Sequence, residues 1–136
     1  RYINALKADT ENILLSNYNS LEYTRNMLMA LENKRPQSIQ LFEANLKSQE
    51  GNISEVGEKE LTQELRDQFR NFKLNQTDST PLLLHLRETI FQIMDMNMQA
   101  IQRKSELAKV TADKAVFWVM ITGTSCFLIA FILRVK

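Results

Sequence analysis

Residues that make turns or cross-links are scarce in this chain, whose 136 residues include three glycines, two prolines and one cysteine. An α/β or all-β domain needs many turns, and glycine and proline supply most of them, so this composition favours an all-α protein. Cys126 has no second cysteine with which to form a disulfide within the chain. The net charge of +1 at pH 7 gives no indication of a nucleic-acid partner, and none is expected.

Charge is missing altogether from Ala115 to Leu133, a run of about nineteen apolar or small residues. As a helix, this run is long enough to span the ~30 Å hydrocarbon core of a bilayer. No proline or glycine lies between Pro81 and Gly123. The sequence therefore predicts that a helix starting near Pro81 continues unbroken into a membrane.

Three breaks divide the chain before this run into four predicted helices. The breaks lie at residues 33–36, 51–52 and 75–81. Pro36 fits the first turn of helix 2, and Gly51 is a candidate for its C-cap. Ser54 and Thr80 are candidate N-caps for helices 3 and 4.

Apolar residues recur at helical spacing within each predicted helix and define the faces expected to be buried. On helix 1 they are Ile3, Leu6, Ile13, Leu14, Leu21, Leu28 and Leu31. On helices 2 and 3 they are Ile39, Phe42, Leu46, Leu61, Leu65, Phe69 and Phe72. On helix 4 they are Leu83, Leu86, Ile90, Met94, Ile101 and Leu107 or Ala108.

The helix lengths predict an antiparallel four-helix bundle with two long and two short helices. Before the membrane run, helices 1 and 4 each span roughly 33 residues, or ~50 Å, and helices 2 and 3 about half of that. Short connections make neighbouring helices antiparallel, so the half near the membrane contains only helices 1 and 4. Arg1 then falls beside Lys114, and we expect a first transmembrane segment upstream of Arg1 in a longer protein.

Two helices alone cannot cover their own apolar faces. A second copy of the chain would complete the half near the membrane, with two helices from each copy. The sequence therefore predicts a parallel, two-fold homodimer. Its seam is expected to include Ile3, Leu6, Ile101 and Leu107.

Asn17 and Asn97 fall on the apolar faces of the two long helices. In the predicted antiparallel pairing they lie at nearly the same height, ~25 Å above the membrane, where the hairpin of helices 2 and 3 ends. Two buried amides at one level are typical of a polar layer that fixes register, and the floor of a ligand pocket is the alternative. We expect this level to couple changes in the four-helix half to the membrane half, and expect that replacing either residue with Leu stabilises the bundle while altering that coupling.

His85 is the only histidine, and Glu88 follows it by three residues. A metal site in a helical bundle needs further carboxylate, histidine or cysteine ligands at defined spacing. We therefore interpret His85 as an ordinary bundle histidine and expect no metal and no other cofactor.

Met94, Met96 and Met98 alternate along helix 4 and cannot share one helix face. Gap-filling by flexible methionine is a better interpretation than copper binding. Two Asn-x-Ser/Thr patterns, at residues 52–54 and 75–77, match the N-glycosylation acceptor, but we interpret them as capping and turn residues.

Three stretches carry a resemblance to a known family: NYNSLEYTRNML (17–28), NISEVGEKEL (52–61) and MDMNMQAIQRKSELA (94–108), followed at once by the membrane run. The chain resembles the helical extracytoplasmic sensor region, with the second transmembrane helix, of bacterial membrane-bound sensor histidine kinases. The resemblance implies an input module of a two-component system that detects a small-molecule or protein ligand and transmits the signal by helix movement. The kinase domains of such proteins follow the second membrane helix, so no catalytic residue and no enzyme activity is expected in this chain.

This resemblance also implies a domain plan. Residues 1–114 would form the extracytoplasmic sensor domain, 115–133 the transmembrane helix and 134–136 the start of a cytoplasmic linker. The expected location is the bacterial inner membrane, with residues 1–114 in the periplasm.

Two alternatives remain open. A chemoreceptor ligand-binding bundle would look the same, since only the cytoplasmic part would differ. A tail-anchored helical interaction or membrane-fusion protein also has a helical body and a C-terminal span, although the breaks at Pro36, Gly51 and Pro81 suit a self-contained bundle better.

The basic residues before the membrane run point in another direction. Arg103, Lys104, Lys109 and Lys114 suit contact with lipid headgroups or a solvated helix face. The positive-inside rule would place this side in the cytoplasm, because only two basic residues follow the run. We let the family resemblance outweigh this rule for the orientation.

Overall fold

The computed structural model describes residues 2–33, 37–74 and 80–135, without the side chains of residues 2–11 and 135. Every element in these ranges is a helix, and no strand occurs among them, which confirms the all-α prediction. The four helices are α1 (Tyr2–Glu32), α2 (Ser38–Glu50), α3 (Glu58–Leu74) and α4 (Thr80–Val135).

The chain divides into two compact units, Arg1–Ile101 and Gln102–Lys136. The first unit contains an apolar core to which all four helices contribute. Its buried residues are Met27 and Ala30 of α1, Phe42 and Leu46 of α2, Leu65 and Phe69 of α3, and Leu86, Ile90 and Ile93 of α4. The rings of Phe42 and Phe69 stack with their centroids 4.1 Å apart, which joins α2 to α3.

The predicted buried faces of α2, α3 and α4 are largely correct. Phe42, Leu46, Leu65, Phe69, Leu86 and Ile90 are all buried. Ile39 is an error, because 47% of its surface is exposed, and so is the end of the predicted face of α4, where Leu107 is 68% exposed and Ala108 is exposed as well.

The predicted face of α1 is displaced from the observed one. Leu14, Leu21, Leu28 and Leu31 are only half-buried and Ile13 is exposed. The residues that are buried most completely are Asn17, Ser20, Thr24, Met27 and Ala30. These five follow the 3–4 spacing of a helix face, but the first three are polar, so a search for apolar residues selects their neighbours instead.

In the connection between α2 and α3, Gly51 is the C-cap of α2 as predicted, whereas the start of α3 differs from the prediction. Gly51 ends α2 with a φ of −85°, so this position does not require a left-handed backbone. Gly57 has a φ of +87°, and it is the only residue with positive φ in the described part of the chain. Helix α3 therefore begins after this turn, at Glu58, and not near Ser54 as its capping pattern suggested.

The predicted features at Pro36 and at residues 75–79 lie outside the described residues, as does Arg1. The interpretation of Asn75 as a turn residue therefore stays a prediction. At the start of α4, Thr80 is the first helical residue and Pro81 the second, which suits proline because its missing N–H has no partner in the first turn.

Helix α4 contains the apolar run Ala115–Leu133. It is the one helix among the described residues that is long and apolar enough to cross a membrane, with a mean hydropathy of 2.3 over its most apolar window. Thr122, Thr124 and Ser125 lie within the run, and each donates its hydroxyl hydrogen bond to the carbonyl four residues earlier over 2.8 Å. These hydroxyls are therefore satisfied within the helix, as an apolar surrounding requires. Trp118 also lies in this run, with its ring 6.1 Å from that of Phe117.

Candidate functional site

Five of the six completely buried polar residues of the described chain form the most unusual feature of the first unit. They are Asn17, Ser20, Gln49, Glu58 and Asn97, here called the polar layer. Asn17 and Ser20 lie on α1, and Gln49, Glu58 and Asn97 lie on α2, α3 and α4 respectively. Buried polar groups are costly unless they are hydrogen-bonded, so the contacts of these side chains carry the argument.

Asn17 and Asn97, which the sequence placed at one level, are hydrogen-bonded to each other. Asn17 Nδ2 donates to Asn97 Oδ1 over 2.9 Å. Asn97 Nδ2 also donates to the carbonyl of Ile93, one turn earlier in α4, over 2.9 Å, which fixes the direction of its amide. The proximity of the two residues is observed, whereas their role in signal coupling stays a prediction.

Glu58 is the centre of the polar layer, and one of its carboxylate oxygens connects it to three other helices. Oε1 accepts hydrogen bonds from Ser20 Oγ, Gln49 Nε2 and Asn97 Nδ2, each over 2.8 Å. A change in the position of α1, α2 or α4 relative to α3 must therefore stretch or break one of these bonds.

The second oxygen of Glu58 holds the connection between α2 and α3. Oε2 accepts hydrogen bonds from the backbone N–H of Ser54, over 2.8 Å, and of Glu55, over 3.0 Å. The left-handed turn at Gly57 allows the chain to fold back so that these two N–H groups face the carboxylate of the first residue of α3.

None of the five donors to Glu58 carries a charge. Burial of the carboxylate raises its pKa, while the bonds from Ser54, Asn97, Glu55 and Ser20 lower it, and their combined effect holds the pKa of Glu58 below its ordinary value of 4.5. Glu58 is therefore ionised at neutral pH, stabilised by neutral dipoles that favour the charged form.

Around the polar layer, side chains form hydrogen bonds between α1 and the α2–α3 connection. Asn17 Nδ2 contacts Ser54 Oγ at 3.2 Å and Glu55 Oε1 at 3.0 Å. Asn52 Nδ2 donates to the carbonyl of Ser16 over 2.7 Å and to Ser20 Oγ over 3.0 Å. The connection is thus held on α1 by side chains as well as by the carboxylate.

Of the four residues predicted for the dimer seam, the structure describes the side chains of Ile101 and Leu107. Ile101 is half-buried, and 68% of the Leu107 surface is exposed. The side chains of Ile3 and Leu6 lie outside the described residues. The seam therefore stays a prediction.

The other residues considered for chemistry take ordinary positions on α4. His85 is exposed, Met94 and Met96 are half-buried, and Met98 is 45% exposed. Among the described residues no group of three or more His, Cys, Asp or Glu side chains is placed to hold a metal ion.

The sequence interpretation missed Ser20, Gln49 and Glu58. Ser20 lies three residues after Asn17, a helical spacing that could have extended the polar face of α1. Glu58 gives no such signal, because a glutamate near a helix start is usually solvated and favourable to the helix dipole. Only the turn at Gly57 directs its side chain inward.

No protein-family model matches the chain, and neither a curated protein nor a solved structure matches it.

Proposed function

We propose that this chain is the extracytoplasmic sensor region, with its following membrane span, of a bacterial sensor histidine kinase. The observation that carries the proposal is the polar layer, in which one buried carboxylate joins α3 to α1, α2 and α4. The layer includes α4, the helix that contains the apolar run. The resemblance of the three stretches between residues 17 and 108 to such sensors supports the same function.

The bundle in this proposal is antiparallel, and paired contacts support that arrangement. Asn17 of α1 donates a hydrogen bond to Asn97 of α4. Glu32 Oε1 of α1 lies 4.0 Å from Arg87 Nη2 of α4. Residue numbers therefore increase along α1 in the direction in which they decrease along α4, which is the pattern of antiparallel neighbours.

Contacts of α2 support the same arrangement. Glu43, in the first half of α2, pairs with Lys73 near the end of α3, over 3.0 Å. Glu50, the last residue of α2, pairs with Arg66 earlier in α3, over 2.6 Å. Positions on the two helices therefore run in opposite directions as well.

Signal transmission in this proposal uses two alternative arrangements of the polar layer. A ligand that repacks the core between α1 and α4 shifts one helix against the other, and two hydrogen bonds, from Asn17 to Asn97 and from Asn97 to Glu58, resist small shifts. Leaving a buried donor or acceptor unpaired costs ~1–3 kcal/mol, so the layer favours distinct registers over a continuous slide. A ligand need supply only a few kcal/mol of differential affinity to change the preferred register.

A parallel homodimer is the assembly proposed for this sensor. Leu107 and Val110 are 68% and 50% exposed on α4, and large apolar side chains on a helix surface favour a partner. The apolar run is proposed to cross the bacterial inner membrane, with residues 1–114 in the periplasm and lipid around the run.

Phosphorylation of the complete protein that contains this chain tests the proposal. Membranes from bacteria that produce it are incubated with labelled ATP, and the bound phosphate is assayed for acid lability and alkali stability, the signature of phosphohistidine. We expect labelled phosphohistidine whose amount changes in an Asn97→Leu variant and stays constant in Gln99→Leu, a matched change at an exposed position of the same helix.

Absence of phosphohistidine in the wild-type protein overturns the kinase assignment. A methyl-accepting cytoplasmic part would instead identify the chemoreceptor alternative. A fusion or tethering protein would be identified by residues 1–114 that are a largely disordered monomer when expressed without the span.

A further inference from the structure

An apolar cavity of about 210 Å³ lies where α1 ends, α2 begins and α3 ends. Three phenylalanines, Phe42, Phe69 and Phe72, supply rings to its lining, and Ala30 and Ile39 supply aliphatic surface. Asn33 and Ser38 are its polar lining residues. The cavity is therefore distinct from the polar layer, with which it shares no residue.

We propose that this cavity binds a small molecule that has a single apolar ring and one polar substituent, and that this molecule is the signal. The identification as the signal rests on the proposed function, whereas the binding does not. An engineered apolar cavity of ~150 Å³ is known to hold benzene, so this volume suits one ring with a substituent of a few atoms.

The lining determines the kind of molecule. Phe42 and Phe69 are stacked at an interplanar angle of 19° and each is only 1% exposed, so they form a rigid base, and the half-buried Phe72 is the lining phenylalanine with accessible surface. A flat ring gains edge and face contacts with such a surface that a flexible chain does not. The Ser38 hydroxyl donates to the Asn33 carbonyl, so the side-chain amide of the exposed Asn33 is the lining group offered to the polar substituent.

The cavity shares residues with the apolar core, through which a bound ligand would affect the packing of the helices. Ala30, Phe42 and Phe69 line the cavity and also belong to the core cluster, together with Met27 of α1 and Leu86 of α4. Occupancy therefore acts on the packing between the two long helices without direct contact with the polar layer.

Methyl NMR of the complete chain in lipid nanodiscs tests the binding, with p-cresol as the probe. The methyl groups of Ala30 and Ile39 report on the cavity, and those of Ile93 and Ala100, which do not line it, serve as internal controls. We expect saturable shifts of the cavity methyls alone, with half-saturation at ~0.1–10 mM for so small a ligand.

Variants assign the shifts to the cavity. Ala30→Leu fills it and should weaken binding at least tenfold, read at Ile39, while Ala44→Leu, an apolar addition at an exposed position of α2, should leave binding unchanged. If Ala30→Leu does not fold, Ile39→Ala removes a contact from a residue that is 47% exposed and should weaken binding, read at Ala30. 1-Hexanol carries the same hydroxyl on a linear chain and should bind at least tenfold more weakly than p-cresol.

Three results would overturn the proposal: no saturable shift, equal shifts at the control methyls, or binding that the cavity variants leave unchanged. Equal binding of hexanol would overturn the assignment of a ring. The assay reads no signalling output, so intact binding in a protein without phosphohistidine would reject the proposed function alone.

Discussion

Asn97 donates a hydrogen bond over 2.8 Å to Glu58 Oε1, and both side chains are completely inaccessible to solvent. This contact changes what a substitution of the asparagine should do. A polar residue facing an apolar core is often replaceable by leucine with a gain in stability, but a residue that donates to a buried carboxylate is not.

Asn97→Leu is therefore expected to lower the free energy of unfolding by ~1–3 kcal/mol, because Glu58 loses a donor and Asn17 loses an acceptor. The sequence alone led to the opposite expectation of a stabilised bundle. Denaturant unfolding of the complete chain, followed by circular dichroism, measures the change, and Gln99→Leu is the matched exposed control. A variant more stable than the wild type would show that the contact contributes nothing.

Glu58 should also make the stability depend on pH in the acid range. Its folded-state pKa lies below the ordinary value of 4.5, so its contribution is fully present above the unfolded-state pKa and is lost as the pH falls through the folded-state pKa. Unfolding free energies measured from neutral pH down through this range should fall more steeply in the wild type than in Glu58→Gln.

Glu43 supplies the comparison for that experiment. Hydrogen bonds from Lys73 and then from Arg66 lower its pKa as well. Its side chain is 41% exposed, so solvent screens this effect, and Glu43→Gln should flatten the pH curve less than Glu58→Gln. The reverse order would show that the surface ion pairs, and not the polar layer, control the acid response.

The two glycines of the α2–α3 connection should respond differently to alanine. Gly57→Ala forces an L residue to a φ of +87° and should cost ~1–2 kcal/mol, although the added methyl would meet only Met96 Cε, at an ordinary 3.5 Å. At Gly51 the φ is −85° and the added methyl would meet Ser48 O at an ordinary 3.6 Å, so Gly51→Ala should be neutral or stabilising by up to ~1 kcal/mol. Equal effects at the two positions would contradict the observed turn.

The apolar run should not tolerate a charge at its centre. Ile121→Arg is expected to cost ~2.5–3.5 kcal/mol of membrane insertion, since the bilayer interior does not solvate the guanidinium. A glycosylation-based insertion assay measures this cost against Ile121→Leu. Insertion of the arginine variant at the level of the leucine variant would count against a transmembrane assignment.

Cross-linking tests the proposed homodimer. In a Cys126→Ser background, Leu107→Cys should form disulfide-linked dimers in membranes, because Leu107 is expected at the seam. Ser105→Cys lies about 200° away around the helix and should cross-link less. Preferential linkage through position 105 would place the seam on another face of α4.

Much of the fold could be predicted from the sequence because its strongest signals are local. Breaks at Gly51 and Thr80, and apolar spacing such as Leu65 to Phe69, depend on only a few neighbouring residues. The buried face of α1 around Asn17 and Ser20 could not be predicted in the same way. This face is polar, and burial of such residues depends on partners 38 to 80 positions away in the chain.

The candidate site was only half predictable for the same reason. Asn17 and Asn97 could be paired because helix geometry sets their heights. Glu58 could not be added to them, because its inward direction depends on the left-handed turn at Gly57, and a glycine in the sequence permits such a turn without requiring it. Ion pairs such as Arg66 with Glu50 depend likewise on helix rotation, which composition does not specify.

The single tryptophan lies at position 118 and is 65% exposed within the apolar run, while the tyrosines at 2, 18 and 23 all belong to α1. Intrinsic fluorescence is therefore divided between the two parts of the chain without any labelling. Tryptophan emission, and its quenching by brominated lipid, reports the surroundings of the apolar run. Tyrosine emission reports α1, so events in the helical body and around the apolar run can be followed as two separate optical signals from one unmodified sample.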